Sequence, residues 1–144
     1  MAAPTYTWEY TTNLFGFGPP IITALEATSS LETKIGTLLI MSSGQVDEAT
    51  ASVVLPIGLA AEKTAAAATA ADPIKVMLLR PGDVIKGTSD ADASTAAGFS
   101  GKTYDFNTDG SLDYGDSSGG CASVWKTEDA GLTVYIVLSK LAAF

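Results

Sequence analysis

Apolar side chains recur at every second position near the end of the chain. Leu132, Val134, Ile136 and Leu138 fall on one face of Leu132–Ser139, which is the period of a half-buried β-strand and not that of a helix. Cys121–Lys126 precedes this segment across Thr127-Glu128-Asp129-Ala130-Gly131, a loop of hairpin length. The two segments predict an antiparallel hairpin. Similar short segments extend back through the chain. Tyr104 and Phe106 share one face of Lys102–Phe106, Ile74–Leu79 ends at the turn Pro81-Gly82-Asp83, and Val84-Ile85 resumes. Thr37–Met41 runs into Ser42-Ser43-Gly44, and Val53–Leu55 with Ile57–Leu59 bends at Pro56-Ile57-Gly58. Many short strands divided by Gly, Pro, Asp and Ser turns predict an all-β chain, a small antiparallel β-barrel or sandwich.

Other stretches carry less signal. Ile21–Thr33 has no clear period, with Ala24, Leu25, Glu26 and Leu31, Glu32 weakly helical around Ser29-Ser30. Glu62–Ala71 has high helix propensity but no large apolar side chain to bury, and short isolated helices are marginal in water. It reads as an exposed loop, as does the small, polar Gly87–Gly98. The 144 residues fit one domain, and 47% hydrophobic against 17% charged side chains favours a packed core over disorder. The expected division is an extended aromatic N-terminal arm, residues 1–20, and a single β-rich domain, residues 21–144.

Several functions are excluded early. Histidine is absent, which removes Ser-His-Asp and Cys-His catalysis and His-ligated zinc. Cys121 is the one cysteine, so no intrachain disulfide or thiolate cage forms, and it is expected as a small buried hydrophobe. Acidic residues outnumber basic ones 16 to 8, for a net charge of −8. Binding to a phosphate backbone needs clustered cations, whereas here they are scattered and Arg80 is the lone arginine. No nucleic-acid partner is expected. The carboxylates sit in polar loops, where solvation keeps them ordinary, and no phosphate-binding glycine motif occurs. The chain is therefore expected not to be an enzyme. Met1–Glu9 has neither the cationic nor the apolar region of a secretory signal. The longest apolar run, Val53–Ala61, is broken by Pro56 and Gly58, well short of the ~18 residues of a membrane helix. No membrane partner is expected.

Two constellations could carry function. Five of the 12 aromatics lie in the first twenty residues: Tyr6, Trp8, Tyr10, Phe15 and Phe17. Tyr6, Trp8 and Tyr10 alternate with polar residues, as on a strand, and Gly16, Gly18, Pro19 and Pro20 then break the pattern. Either this is an edge strand packed on the domain's own core, or it is an arm whose five aromatics anchor another polypeptide. The second constellation runs from Asp105 to Asp116. Oxygens from Asp105, Asn107, Asp109, Ser111, Asp113 and Asp116, with Gly110 at the turn, resemble an EF-hand or dockerin-type Ca²⁺ loop. Such a loop wraps six to eight oxygens at about 2.4 Å around the ion. Its glycine-rich flanks do not support helices, and the competing expectation is a metal-free hairpin with strands Lys102–Asn107 and Ser111–Tyr114 around Thr108-Asp109-Gly110.

From Ala49 to Thr88 the order of segments is distinctive. Thr50-Ala51-Ser52-Val53-Val54 leads into Pro56-Ile57-Gly58-Leu59-Ala60-Ala61-Glu62. After a small-residue loop come Asp72-Pro73-Ile74-Lys75-Val76-Met77-Leu78-Leu79 and Arg80-Pro81-Gly82-Asp83-Val84. With Gly101-Lys102-Thr103-Tyr104-Asp105 and the closing hairpin, this resembles the head decoration, or cement, proteins of tailed double-stranded DNA phages, over roughly Ile35–Leu141. The resemblance implies a β-tulip-like domain and no catalytic residues. It also implies a homotrimer on the outer capsid surface of the virion, made in the host cytoplasm, with the major capsid protein and neighbouring copies as partners. The alternative expectation is an extracellular, calcium-stabilised β-sandwich adhesin or carbohydrate-binding module.

Overall fold

The computed structural model describes residues 3–28, 31–49, 56–64 and 73–139. Eleven strands are found among them: β1 (Glu9–Asn13), β2 (Ile22–Glu26), β3 (Leu38–Ser42), β4 (Gln45–Glu48), β5 (Pro56–Ala60), β6 (Pro73–Leu78), β7 (Asp83–Thr88), β8 (Asp105–Phe106), β9 (Leu112–Asp113), β10 (Ala122–Glu128) and β11 (Thr133–Leu138). A four-stranded sheet has the order β1-β7-β11-β10, and a five-stranded sheet has the order β2-β6-β5-β3-β4. The pair β8-β9 forms a third, two-stranded sheet, bridged to the four-stranded one through Tyr104–Ala122 and Ser89–Leu112. Every named pairing is antiparallel. The chain is all-β, as its period-two segments predict.

The closing hairpin forms in the expected place. Ala122 pairs with Leu138, and Glu128 with Thr133, so Val134, Ile136 and Leu138 reach the core. Leu132 does not join them. It sits after a short left-handed turn, Asp129–Gly131, whose residues all have positive φ, and is exposed. A 3₁₀ turn, Ser94–Ala96, lies inside the stretch expected as a loop.

The main core fills the space against the four-stranded sheet and gathers Trp8, Leu38, Leu59, Leu79, Ile85, Phe106, Leu112, Val124 and Ile136. A second core holds Leu31, Leu39, Val46, Ile57, Ile74 and Val76. Adjacent Leu38 and Leu39 point into different cores, as alternation along β3 requires. The five-stranded sheet is thus covered on both sides over part of its width, which is why Pro56–Ala60 is buried throughout and reads as an unbroken apolar run.

Ile22–Glu26 is a strand and not weakly helical, because pairing with β6 from Ile22–Met77 to Glu26–Pro73 overrides a local preference worth little. Past its end, Ala27 bridges to Val46 in β4, so the two margins of the five-stranded sheet approach one another. Thr64 bridges to Thr33. The expected loop beyond Thr64, the strand segments Thr50–Val54 and Val53–Leu55, and the chain end after Ser139 lie outside the described residues.

Candidate functional site

β1 is an edge strand of the domain's own sheet, with Glu9 opposite Lys86 and Asn13 opposite Asp83. The division of residues 1–20 from the domain is therefore corrected over this span, because hydrogen bonding and burial tie it down. Trp8 is only 3% exposed. Its indole Nε1 donates to the Gly110 carbonyl at 2.8 Å, and its ring meets Phe106 edge-on at 5.5 Å. A Cβ on Gly87 would lie 2.4 Å from the same ring. Trp8 is a core residue and cannot anchor a partner. Tyr6 is exposed, with its amide donating to the Asp109 carbonyl at 2.8 Å. Tyr10 is half-buried.

Phe15 and Phe17 behave differently, at 66% and 59% exposed. The turn that carries them is nevertheless fastened from below. Asn13 ends β1, and its side-chain oxygen accepts from the amides of Phe15 at 2.7 Å and Phe17 at 3.4 Å. Its Nδ2 donates to Asp83 Oδ1 at 2.8 Å and to the Pro81 carbonyl at 3.2 Å. Asp83 is 2% exposed and also accepts from the Arg80 main-chain amide at 2.7 Å and from Arg80 Nη2 at 2.9 Å. Arg80 Nη2 reaches the Gly18 carbonyl as well. Hydrogen bonding to Asp83, seconded by that carboxylate's charge, raises the Arg80 pKa above its ordinary value. The Leu14 amide donates to the Gly82 carbonyl at 2.8 Å. The Phe15 ring lies where a Gly82 Cβ would stand, 2.6 Å away, and Gly82 also has φ +82°. Only glycine meets both demands. Phe15 and Phe17 touch edge-on at 6.3 Å, and the Arg80 guanidinium sits 5.8 Å from the Phe17 ring. The Pro81-Gly82-Asp83 turn is thus a socket that presents two phenylalanines to solvent.

An apolar groove of about 490 Å³ runs between β1 and β2, with Tyr10, Ile22, Ile35, Leu59 and Met77 among its walls. Ile21, Ile22 and Ile35 are exposed there and nearby. The sequence hid this grouping, because Ile22 lies in a stretch without a clear period and only the assembled sheets bring it near Ile35. Arg80 and Asp83 gave one signal, a lone arginine three residues before an aspartate.

Of the two arrangements expected for Asp105–Asp116, the structure shows a hairpin, with strands shorter than Lys102–Asn107 and Ser111–Tyr114. β8 pairs with β9 through Asp105–Asp113 and Phe106–Leu112. Asn107, Asp109 and Ser111 do come together, but as a turn: Asp109 Oδ1 accepts from the Ser111 amide at 3.0 Å and hydroxyl at 2.6 Å. Asn107 Nδ2 donates to Ser111 Oγ at 3.0 Å and to Asp90 Oδ2 at 2.9 Å, placing a donor where a cation needs an oxygen. Asp113 Oδ1 accepts from the Gly115 amide, Asp105 is buried in β8, and the Asp116 amide bonds back to the Asp113 carbonyl. No group of three or more His, Cys, Asp or Glu among the described residues is placed to hold a metal ion. Cys121 is buried.

No helix among the described residues is long and apolar enough to cross a membrane. No known family, curated protein or solved structure matches the chain.

Proposed function

We propose that this protein is a structural decoration, or cement, protein that binds the outer surface of an assembled phage head and stabilises it without catalysis. The observation that carries the reading is the rigid display of Phe15 and Phe17 above the Asn13–Asp83–Arg80 clasp. Two exposed phenylalanines cost solubility and add nothing to a monomer, whereas aromatic side chains with few rotors to freeze are what interface centres bury. The clasp is built on the Arg80-Pro81-Gly82-Asp83 segment, which also carries the resemblance to decoration proteins. The partner in this reading is the major capsid protein, with copies of the chain arranged as a homotrimer on the virion.

A protein that binds only the assembled lattice stabilises it by RT ln(1 + [L]/Kd). Heads saturated with the protein are expected to melt at higher temperature than bare heads. The double variant Phe15→Ala, Phe17→Ala is expected to keep its own melting temperature and lose that effect. Equal melting of bare and saturated heads overturns the reading.

A further inference from the structure

Each of the two larger sheets has two edges, and edges left open invite another strand. Two of the four are closed by the chain itself. The β10 edge receives the amides of Gly98 and Phe99 on the carbonyls of Trp125 and Val124, at 2.9 and 3.0 Å. The β4 edge receives the Thr28 amide on the Val46 carbonyl at 3.0 Å. The remaining edges are β1 and β2; β2 meets β4 only past its end, where Ala27 bridges to Val46, and among the described residues no strand pairs with the outer side of β1. Both border the same groove.

The groove meets β1 at its edge and not at a face. A face presents alternate residues, yet Thr7, Trp8, Glu9 and Tyr10 all line it in succession. The Trp8 amide donates to the Gly36 carbonyl at 2.8 Å, on the side away from β7. Main-chain groups alternate sides along a strand, and the register of β1 stays regular until after Tyr10. Tyr10 therefore turns its N–H and C=O into the groove, next in line after the contact with Gly36. Opposite, the five-stranded sheet leaves Met77 half-buried and Ile22, its partner across the strand pair, exposed. One more strand beside β1 covers these side chains.

We propose that the groove is a strand-acceptor site, taking an extended segment of another polypeptide that hydrogen-bonds to the Tyr10 main chain as the next strand of the four-stranded sheet. The incoming strand carries apolar side chains at alternate positions, against Ile22, Ile35 and Met77. It carries a cation toward Glu9, the one charged residue lining the groove among the described residues. This is main-chain recognition with side-chain pockets for specificity. It rests on reading the protein as one that docks on another polypeptide.

The test uses the full chain and a synthetic peptide, Lys-Val-Thr-Val-Thr-Val-Lys, with an analogue N-methylated at alternate amides. Binding is expected to slow hydrogen exchange at the Tyr10 amide. N-methylation is expected to weaken binding by about tenfold, the worth of one or two main-chain hydrogen bonds. Ile22→Asp and Ile35→Asp, both at exposed positions, are expected to weaken it similarly without lowering the melting temperature. No binding at roughly millimolar peptide, equal affinity for the methylated analogue, or protection that spares Tyr10 overturns the proposal. So does protection of Tyr10 by self-association without peptide, which assigns the groove to a second copy. Head stabilisation without strand acceptance removes this inference alone, and strand acceptance without head stabilisation removes only the cement reading.

Discussion

Replacing Asp83 with alanine tests whether the clasp is what holds Phe15 and Phe17 in place. The carboxylate is buried and accepts from Asn13 Nδ2, the Arg80 amide, Arg80 Nε and Arg80 Nη2. Hydrogen bonds to a charged group are worth about 1.5–3 kcal/mol each, but these four do not count equally. The Arg80 side chain is 33% exposed and can turn its donors to water, so its ion pair is heavily discounted. The Arg80 main-chain amide cannot turn away, and Asn13 keeps only the longer contact to Pro81. Asp83→Ala is therefore expected to cost about 2–4 kcal/mol, or roughly 6–12 °C in melting temperature for a domain of this size. Arg80→Met keeps the stem over Phe17 and leaves Asp83 two donors, so a clearly smaller loss is expected. Urea denaturation followed by circular dichroism measures both. Native-state chymotrypsin digestion adds a local readout, since cleavage after Phe15 or Phe17 tracks opening of the turn and is expected to quicken in Asp83→Ala at temperatures where the domain stays folded. The reasoning fails if Arg80→Met costs as much as Asp83→Ala, or if the turn is cleaved no faster in either variant.

Trp8→Ala is expected to destabilise the domain by about 3–5 kcal/mol, while Phe15→Ala and Phe17→Ala stay within about 0.5 kcal/mol of wild type, all by thermal denaturation. Glu48 is buried in β4, and that burial, with the neighbouring charge of Asp47, raises its pKa above 4.5. Its ionised form is thus a cost at neutral pH that disappears as pH falls through the folded-state pKa toward the unfolded value. Glu48→Gln is expected to raise the melting temperature at pH 7 and to flatten its dependence on pH in that window. Millimolar calcium is expected to leave the melting curve unmoved. Asp109→Ala, which strips the Ser111 amide and hydroxyl of their acceptor, is expected to cost about 1 kcal/mol with or without the ion.

What the sequence disclosed follows from where each signal originates. Alternation at Val134, Ile136 and Leu138 needs only a strand with one buried face, so the hairpin and the all-β class were legible. Leu132 continues the pattern in sequence yet is exposed, because the left-handed turn at Asp129–Gly131 lifts it from the ladder. The aromatic segment was half legible. Tyr6, Trp8 and Tyr10 alternate as a strand does, but only the approach of Gly87 and Gly110, about 80 and 100 residues on, shows that Trp8 is core. The acidic loop left two readings open because calcium loops and Asx-type turns draw on the same residues. The choice between them depends on where Asp90 and Asn107 meet, which no local pattern reports.

The place of β1 also fixes an order of events in time. Its partner β7 begins seventy residues later along the chain, and the Trp8 indole finds Gly110 at a separation of 102. β7 is itself held between β1 and β11, and β11 ends at Leu138. During synthesis, which proceeds at roughly 5–20 residues per second, the first strand made must wait several seconds for its neighbour. It then has to close one of the longest loops in the molecule. Such late closure slows folding and leaves Trp8, Tyr10, Phe15 and Phe17 exposed together on the nascent chain. The aromatics that give the finished domain its anchor and its display turn are thus its chief aggregation hazard before β7 arrives.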